Sequence, residues 1–323
     1  MATAELQMTR TELGDTGMEI TRVGFGAWAI GGPGWEGGWG PQDDEQSVEA
    51  IARGLEHGIN WIDTAAAYGF GHSEEIVGRA IAETGKHPYV FTKASLLNDG
   101  AGNVAHSLKR DSILREAGDS LQRLGVDAID LYQIHWPDPD ADIREGWAAL
   151  AELKEQGLIR HIGVSNFNVE QLERIADVAP VETLQPPYSL INRGIEAEIL
   201  PFAKREGIGV IAYSPMASGL LSGRMTRDRL AHLPDDDWRK SDTRFLEPEL
   251  SRNLAIVDRL KLVAEARDTT PGAVAIAWTL RNPAVDGAIV GFRRPEQVDG
   301  LVDATTLALD DNATAFITGV EAR

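Results

Sequence analysis

Four side chains that can carry or stabilise a proton stand at or near the ends of short apolar runs. Asp63, Lys93 and His135 each follow such a run directly, and Tyr68 comes five residues after Asp63. In a barrel of parallel strands, the residue that leaves each strand points into one shared mouth. We therefore expect an acid, a phenol, an amine and an imidazole to converge there as a proton-relay site.

This set of groups suits the reduction of a carbonyl compound, because the oxygen must gain a proton while a hydride adds to the carbon. Tyr68 is the candidate acid. A free tyrosine has a pKa of about 10, and a nearby Lys93 ammonium is expected to lower it. Asp63 would keep Lys93 charged and in place, while His135 would donate a hydrogen bond to the substrate oxygen. Each residue alone could be a cap, a solvated side chain or packing, but four at consecutive strand ends favour catalysis.

The composition restricts the classes of function. The chain has 323 residues, 43% of them apolar, which suits one large barrel domain over residues 1–323. Fifty acidic against 31 basic residues give a net charge of −19, so neither nucleic acid nor an anionic membrane is an expected partner. No cysteine is present for disulfides or thiolate metal sites. Residues 1–10 contain no apolar leader, which predicts a cytoplasmic protein, expected to be a monomer or a weak homo-oligomer.

Strand-like and helix-like segments alternate along the chain, which predicts an α/β fold with a parallel sheet. A hairpin over residues 10–22, with its turn at 14–17, precedes the first parallel strand. The strands are predicted at 23–28, 59–62, 89–92, 129–134, 159–164, 183–185, 209–213 and 287–290. Amphipathic helices are predicted at 45–57, 111–124, 143–156, 195–206 and 273–280, the last opened by Thr270 and Pro271. We therefore expect a (β/α)8 TIM barrel.

Two connections are longer than the others. They cover residues 31–44 after the first strand and residues 214–250 after the seventh. Both would lie at the C-terminal face of the barrel, where long loops commonly act as lids or binding loops.

Motifs around the four groups resemble those of the aldo-keto reductase family over about residues 9–311. They include Asp63-Thr64-Ala65 with Tyr68-Gly69, Thr92-Lys93 and His135-Trp136-Pro137-Asp138. The series continues with Gly163-Val164-Ser165-Asn166-Phe167, Gln185-Pro186-Pro187-Tyr188 and Tyr213-Ser214-Pro215. Segments 28–32 and 132–139 are most similar to the bacterial branch that includes inositol-operon and stress-related reductases. The resemblance implies an oxidoreductase that reduces aldehydes or ketones to alcohols.

The resemblance also implies a nicotinamide cofactor that lies across the barrel mouth without a Rossmann fold. Ser165, Asn166 and Gln185 would bind its carboxamide, and Tyr213 would stack on its ring. Further cofactor-binding candidates flank the first and seventh strands: Trp28, Ser214, Pro215, Ser218, Gly219, Leu220, Ser222 and Arg224.

The phosphate end of this cofactor should lie after the eighth strand, where barrels often bind phosphate. Gly291 supplies flexible backbone there, and Arg293 and Arg294 are candidates for a 2′-phosphate, which arginine binds through charged, bidentate contacts. NADPH is therefore expected rather than NADH, with one of the two arginines touching it. Gly and Leu at 300–301 replace an acid and an amide common in the family, so Gln297 is the candidate at the adenine end.

Loop tryptophans are the candidates for the substrate pocket: Trp28, Trp35, Trp39 and Trp136. An aromatic pocket suits a small aldehyde, a sugar-like carbonyl or an aryl ketone. One alternative is a regulatory barrel that holds NADPH as a sensor with little turnover. A weaker one is a metal-dependent hydrolase using Asp63 and His135, but no second histidine stands at ligand spacing, so no metal is expected.

Overall fold

Parallel strands close into a barrel in the computed structural model, which describes residues 8–234 and 237–319. The strands are β1 (Arg10–Glu12), β2 (Glu19–Thr21), β3 (Val23–Gly26), β4 (Trp61–Asp63), β5 (Tyr89–Ala94), β6 (Leu96–Asn98), β7 (Val104–His106), β8 (Ile129–Ile134), β9 (Ile159–Ser165), β10 (Thr183–Gln185), β11 (Gly209–Tyr213) and β12 (Gly287–Gly291). Eight of them, β3–β5 and β8–β12, form the barrel, which closes where β12 pairs with β3. The predicted (β/α)8 barrel is confirmed. The expected absence of a leader concerned residues 1–10, of which 1–7 lie outside the described residues.

Helices surround the barrel and connect its strands. They are α1 (Asp44–Glu56), α2 (His72–Thr84), α3 (Arg110–Leu124), α4 (Ile143–Glu155), α5 (Val169–Ile175), α6 (Ile199–Arg205), α7 (Arg227–Ala231), α8 (Glu249–Glu265), α9 (Pro271–Leu280), α10 (Pro295–Asp299) and α11 (Asp311–Thr318). The start of α9 follows the prediction, because the Thr270 hydroxyl accepts the Ala273 amide and Pro271 occupies the first turn. Within residues 8–234 and 237–319, no helix has the length and apolar character needed to cross a membrane.

The N-terminal hairpin of β1 and β2 fills the lower end of the barrel. Its strands are antiparallel, as the sequence predicted. Leu13 and Ile20 from the hairpin pack against Trp61 and Phe91 from the barrel strands. A Cβ atom at Gly24 would lie 2.1 Å from the Trp61 indole, so only glycine leaves room for this large side chain. The interior is therefore packed at this end and opens at the C-terminal ends of the strands.

Several predicted boundaries differ from the structure, among them those of two barrel strands and one helix. The first barrel strand ends at Gly26, because Ala27 leaves the extended region and Trp28–Ile30 forms a 3-10 turn. The second strand is shifted to Trp61–Asp63. The helix predicted at 195–206 is divided before α6, because Pro201 lacks an amide hydrogen and its ring excludes a helical turn before it.

Three long connections rise above the barrel mouth, where the sequence analysis predicted two. Residues 27–43 join β3 to α1, and residues 214–248, which include α7, join β11 to α8. The third connection, residues 95–109, contains the antiparallel hairpin of β6 and β7. Its turn is rich in glycine, asparagine and aspartate, which is a hairpin signal that the sequence analysis overlooked.

Candidate active site

A cavity of about 770 Å³ opens at the C-terminal ends of the barrel strands. Asp63, Tyr68 and His135 line it, and Lys93 lies beneath them with 1% of its surface exposed. These residues come from the ends of β4, β5 and β8, which are neighbours in the barrel, and from the turn after β4. The structure therefore brings together all four groups that the sequence singled out.

Lys93 connects the members of this group. Its ammonium donates to Asp63 Oδ1 at 2.6 Å, to the Thr64 carbonyl at 2.9 Å and to Tyr68 Oη at 3.4 Å. Burial lowers the pKa of Lys93, and the Asp63 carboxylate opposes this effect. The salt bridge thus favours a charged ammonium next to the phenol.

The phenol of Tyr68 differs from the sequence-based expectation. Burial raises the pKa of Tyr68 well above its ordinary value, and the Asp63 carboxylate raises it further. The expected net lowering by Lys93 is wrong, because burial outweighs an ammonium whose charge is largely balanced by its carboxylate partner. Tyr68 therefore carries its proton at neutral pH, which is the form that an acid must have.

The imidazole of His135 faces Tyr68 across the mouth, with ring centroids 5.6 Å apart at an angle of 77°. Burial lowers the pKa of His135 well below its ordinary value, and the charge of Lys93 adds to the effect. His135 is therefore neutral at pH 7. Among the described residues, its Nδ1 is buried without a hydrogen-bond partner. A neutral imidazole has one N–H, so it can donate one hydrogen bond to a ligand oxygen in the mouth.

A buried amide that the sequence analysis missed, Gln133, also belongs to this group. Gln185 Nε2 donates to Asp63 Oδ2 at 2.9 Å and to Gln133 Oε1 at 3.3 Å. The Gln133 amide nitrogen lies 3.5 Å from the same Asp63 oxygen. Because both N–H groups of Gln185 are used, its carbonyl oxygen remains for a ligand. Gln133 stands two residues before His135, and this spacing along a strand was the available signal that it faces the interior.

The predicted carboxamide and ring positions share one wall of the cavity. The Tyr213 hydroxyl donates to Asn166 Oδ1 at 2.8 Å, and Asn166 Nδ2 donates to the His135 carbonyl at 2.9 Å. The Ser165 hydroxyl donates to the Gln185 carbonyl at 2.8 Å. The wall offers amide, hydroxyl and carbonyl groups beside an aromatic ring, and this donor and acceptor set fits the carboxamide and the ring of a nicotinamide.

The turn after β11 forms a second wall. Leu220 is fully buried beneath it and does not line the cavity. The Ser222 hydroxyl donates to the Gly219 carbonyl at 2.6 Å and so holds the turn. The predicted residues that line the cavity here are Ser214, Pro215, Ser218, Gly219, Ser222 and Arg224.

The two arginines after β12 have different surroundings. Arg293 donates to Gln42 Oε1 and to the Pro41 carbonyl, both at 2.6 Å, so it ties the 27–43 connection to the end of β12. Arg294 is exposed and lies outside the cavity lining. The amides of Arg293 and Arg294 donate to Gln297 Oε1 at 2.7 and 3.1 Å, so Gln297 caps α10. The cavity is lined here by Gly291, Arg293 and Gln297.

The predicted substrate-pocket tryptophans all line the cavity: Trp28, Trp35, Trp39 and Trp136. Trp28 and Trp35 lie beside Tyr68, with ring centroids 6.3 and 6.0 Å from its ring. Trp136 has 43% of its surface exposed and stands at the rim.

Two further residues close the mouth and were not identified from the sequence. Trp238 stacks on Trp28, with ring centroids 5.9 Å apart and an angle of 19°. The guanidinium of Arg239 lies 4.8 Å from the ring centroid of Trp39. The connections at 27–43 and 214–248 therefore meet above the cavity. A contact between loops so distant in sequence leaves no local pattern from which it could be predicted.

Comparison with known proteins identifies the family. The sequence model of the Aldo/keto reductase family matches residues 22–322. Aldo-keto reductase YhdN from Bacillus subtilis (strain 168) is 41% identical over 305 residues, covering 94% of this chain and 90% of the relative. The NADH-specific methylglyoxal reductase from Escherichia coli (strain K12) is 34% identical over 318 residues, covering 94% of this chain and 95% of the relative.

A solved structure gives the same result. The glycerol dehydrogenase AKR11B4 from Gluconobacter oxydans is 40% identical and superposes with a TM-score of 0.87, covering 96% of this chain and 94% of that chain. The matches extend over the barrel, the strand ends and the connections that form the mouth. The chain therefore belongs to the aldo/keto reductase family of oxidoreductases, which act on carbonyl compounds with nicotinamide cofactors.

Proposed function

We propose that this protein reduces aldehydes and ketones to alcohols with NADPH, and that Tyr68 donates the proton. The observation that carries the proposal is the 3.4 Å contact between Tyr68 Oη and the Lys93 ammonium, beneath a cavity that also presents His135. A protonated phenol, a buried ion pair and a neutral imidazole at one point correspond to a general acid and the groups that position it.

In this proposal the proton of Tyr68 passes to the carbonyl oxygen. The bound cofactor supplies the hydride for the carbonyl carbon. As the phenol loses its proton, the Lys93 ammonium stabilises the tyrosinate, and Asp63 holds the ammonium 2.6 Å away. His135 donates a hydrogen bond from its neutral imidazole to the same carbonyl oxygen and aligns it with Tyr68.

The nicotinamide would be held by the wall after β9, β10 and β11. Gln185 offers its carbonyl oxygen to the carboxamide N–H, since its own N–H groups bond to Asp63 and Gln133. Ser165 and Asn166 would supply the remaining polar groups, with the Asn166 N–H that now donates to Ser165 Oγ at 3.1 Å turning to the carboxamide oxygen. The Tyr213 ring would stack on the nicotinamide. The cofactor would therefore place its reactive ring beside Tyr68.

We assign the 2′-phosphate to Arg294 rather than to Arg293. The Arg293 guanidinium already donates to Gln42 and to loop carbonyls, whereas Arg294 is exposed next to the start of α10. A guanidinium suits a phosphate dianion because it donates two parallel hydrogen bonds. One relative is named for NADH specificity. The proposed preference for NADPH therefore rests on Arg294, and the dissociation constants of NADPH and NADH test it.

The substrate would be a small carbonyl compound enclosed by the pocket tryptophans. Trp28 and Trp35 both lie beside the Tyr68 ring, so a carbonyl compound that reaches the phenol would contact aromatic surface. The single domain, the monomeric or weakly associated state and the cytoplasmic location stay predictions.

The test combines cofactor binding with turnover. Quenching of tryptophan fluorescence by NADPH and by NADH gives the two dissociation constants, and NADPH oxidation is then followed with neutral aldehydes and ketones. We expect tighter binding of NADPH and turnover of at least the aldehydes. Binding without turnover would contradict the reductase and favour a sensor barrel, and the absence of quenching would contradict the cofactor.

A further inference from the structure

The charges that line the cavity are divided between its two ends. The arginines of the lining, Arg224, Arg229, Arg239 and Arg293, all come from the connections after β11 and β12, and the proposed phosphate end of the cofactor lies after β12. Among the described residues that line the mouth from β3 to β9, none is a lysine or an arginine. The Arg239 guanidinium does reach this end from the later connection, 4.8 Å from the ring centroid of Trp39, but it is paired with Asp237 at 2.6 Å. An anionic group at the substrate end would therefore meet no unpaired lysine or arginine of the described lining.

Glu36 supplies a carboxylate to this substrate end. It lines the cavity between Trp35, whose ring lies 6.0 Å from that of Tyr68, and Gly37, whose carbonyl accepts the Trp28 indole N–H at 2.9 Å. The Trp35 indole N–H also donates to the Gly32 carbonyl at 3.2 Å, which fixes this part of the connection. These bonds hold the backbone of Glu36 beside the two tryptophans, and its exposed side chain stands at the opening of the cavity.

The carboxylate of Glu36 is not neutralised by a neighbour in the described part of the chain. Its Oε2 lies 3.5 Å from the amide nitrogen of Val104 on β7, and none of the salt bridges between described residues includes it. His106, which lines the cavity on the same side, lies 3.0 Å from the carboxylate of Asp138, which is outside the lining. The substrate end thus combines the Glu36 carboxylate with indole rings.

This combination discriminates between charges. A carboxylate in a cleft with apolar walls repels an anion and attracts a cation more strongly than it would in open water. The faces of tryptophan rings also attract cations, and aromatic cages bind quaternary ammonium groups in this way. A neutral substrate experiences neither effect and depends on apolar contact alone.

We propose that the substrate end of this cavity selects carbonyl compounds by charge and that Glu36 is the residue that determines the selection. Aldehydes that carry an ammonium group are the preferred substrates, neutral aldehydes are intermediate, and aldehydes that carry a carboxylate are the poorest. This inference rests on the proposed reductase function, since it concerns the substrate of the same site.

The test uses three aldehydes of equal chain length: 4-(trimethylammonio)butanal, its neutral isostere 5,5-dimethylhexanal and 5-oxopentanoate. In each, three methylene groups separate the carbonyl from the terminal trimethylammonium, tert-butyl or carboxylate group, so their intrinsic reactivities are similar. With saturating NADPH, we expect kcat/KM to fall by about tenfold in total or more from the cation to the anion. Glu36→Gln should reduce the ratio of kcat/KM between the cation and the anion by about fivefold, while kcat/KM for the neutral aldehyde changes by less than about twofold. Glu36→Lys should invert the order of the three aldehydes.

Glu173→Gln is the matched control, because it removes one exposed carboxylate from α5, outside the cavity. It should leave the range unchanged. Equal kcat/KM for the three aldehydes in the wild type, or an unchanged range in Glu36→Gln, would overturn the inference while leaving the reductase intact.

If the reductase proposal fails, neither 5,5-dimethylhexanal nor any other neutral carbonyl compound is turned over, which distinguishes this outcome from a failure of the charge selection. The charge selection is then measured without chemistry. The alcohols corresponding to the three aldehydes are titrated against tryptophan fluorescence with the cofactor present. The inference is supported if the wild type binds the three alcohols in the same order and Glu36→Gln does not. Equal affinities for the three alcohols in the wild type contradict it.

Discussion

Lys93 and Asp63 form a 2.6 Å salt bridge inside the barrel, where neither side chain has more than 3% of its surface exposed. A buried pair of this kind contributes little net stability, because both charges lose their hydration. Removing one partner is costly, since the other charge is left without compensation. The pair is therefore best explained by what it does for the adjacent phenol.

Asp63→Asn tests that explanation. Without the Asp63 carboxylate, only the charge of Glu74 opposes the effect of burial, so the pKa of the Lys93 ammonium falls further below its ordinary value. Activity that depends on a charged Lys93 should then be lost at a lower pH than in the wild type. The measurement is kcat/KM against pH across the neutral and alkaline range, with circular dichroism to confirm the fold. An alkaline limb at the same pH in both proteins would show that Lys93 does not act through its charge.

Tyr68→Phe tests the proposed acid. The variant retains the ring that packs between Trp28 and His135 but has no proton to donate. We expect kcat to fall by roughly 10² or more, while the dissociation constant of NADPH changes little. Single-turnover rates and fluorescence titrations measure the two quantities separately.

The matched control is Tyr89→Phe, since Tyr89 opens β5 at the opposite end of the strand from Lys93. Its loss of a hydroxyl should leave kcat within about twofold of the wild type, as for a change outside the site. A Tyr68→Phe variant as active as this control would remove the phenol from the mechanism.

Arg293→Ala and Arg294→Ala should have different effects on the two cofactors. Arg293 holds the 27–43 connection through Gln42 and Pro41, so its loss should weaken NADPH and NADH alike. The Arg294→Ala variant should weaken the binding of NADPH alone, by about tenfold or more, because only NADPH carries the 2′-phosphate. Fluorescence titration of the wild type and both variants with both cofactors gives the dissociation constants. Each variant is then compared with the wild type for each cofactor. Selective loss of NADPH in Arg293→Ala instead would mean that its guanidinium leaves the loop when the cofactor binds.

The barrel and the four proposed catalytic groups could be predicted because their signals are local. A polar residue directly after an apolar run fixes Asp63, Lys93 and His135 at strand ends, and parallel closure then brings them together. Gln133 could have been found by the same logic, because it precedes His135 by two positions on β8. The alternation of side chains along a strand places Gln133 and His135 on the same face.

The rest of the site depends on contacts that no local pattern encodes. Arg293 was one of two candidates for the phosphate, and the partners of its guanidinium belong to a connection about 250 residues earlier in the chain. The net direction of the Tyr68 pKa depends on how fully the mouth loops bury the phenol. Both outcomes follow from how loops distant in sequence pack in three dimensions, which sequence spacing does not specify.

Gln133→Leu tests whether this buried amide sets the orientation of Gln185. In the wild type, Asp63 and Gln133 accept both N–H groups of Gln185, so only a carbonyl faces the proposed carboxamide. The 3-acetylpyridine analogue of NADP lacks the amide N–H that would bond to this carbonyl. The wild type should therefore bind the analogue about fivefold more weakly or worse than NADP. In Gln133→Leu the two dissociation constants should be more similar, because Gln185 is free to turn.

Equilibrium dissociation constants are the measurement, so the result does not depend on the rate of hydride transfer. A preference for NADP that persists unchanged in Gln133→Leu would show that Asp63 alone orients Gln185. A variant that binds neither compound would show that the amide is needed to form the site, and its thermal unfolding would distinguish this from a loss of fold.

Glu116 makes the stability of the fold depend on pH. Burial raises the pKa of this carboxyl from 4.5 to about 7, although it accepts hydrogen bonds from the Ser95 amide at 2.9 Å and from Ser112 at 3.1 Å. At pH values below the pKa of the unfolded state, the Glu116 carboxyl is protonated in both the folded and the unfolded protein. As pH rises towards the folded value, the unfolded state ionises first, so the free energy of unfolding falls by up to about 3 kcal/mol.

Glu116→Gln keeps an amide oxygen for Ser95 and removes the titration. Relative to this variant, the wild type should lose up to about 3 kcal/mol of unfolding free energy between about pH 5 and about pH 8, because every other titrating group is shared by the two proteins and cancels. Urea unfolding of both proteins at the two pH values measures the difference. Parallel curves, with the same gap at both pH values, would place the pKa of Glu116 near its ordinary value and show that its carboxylate is stabilised as an ion within the fold.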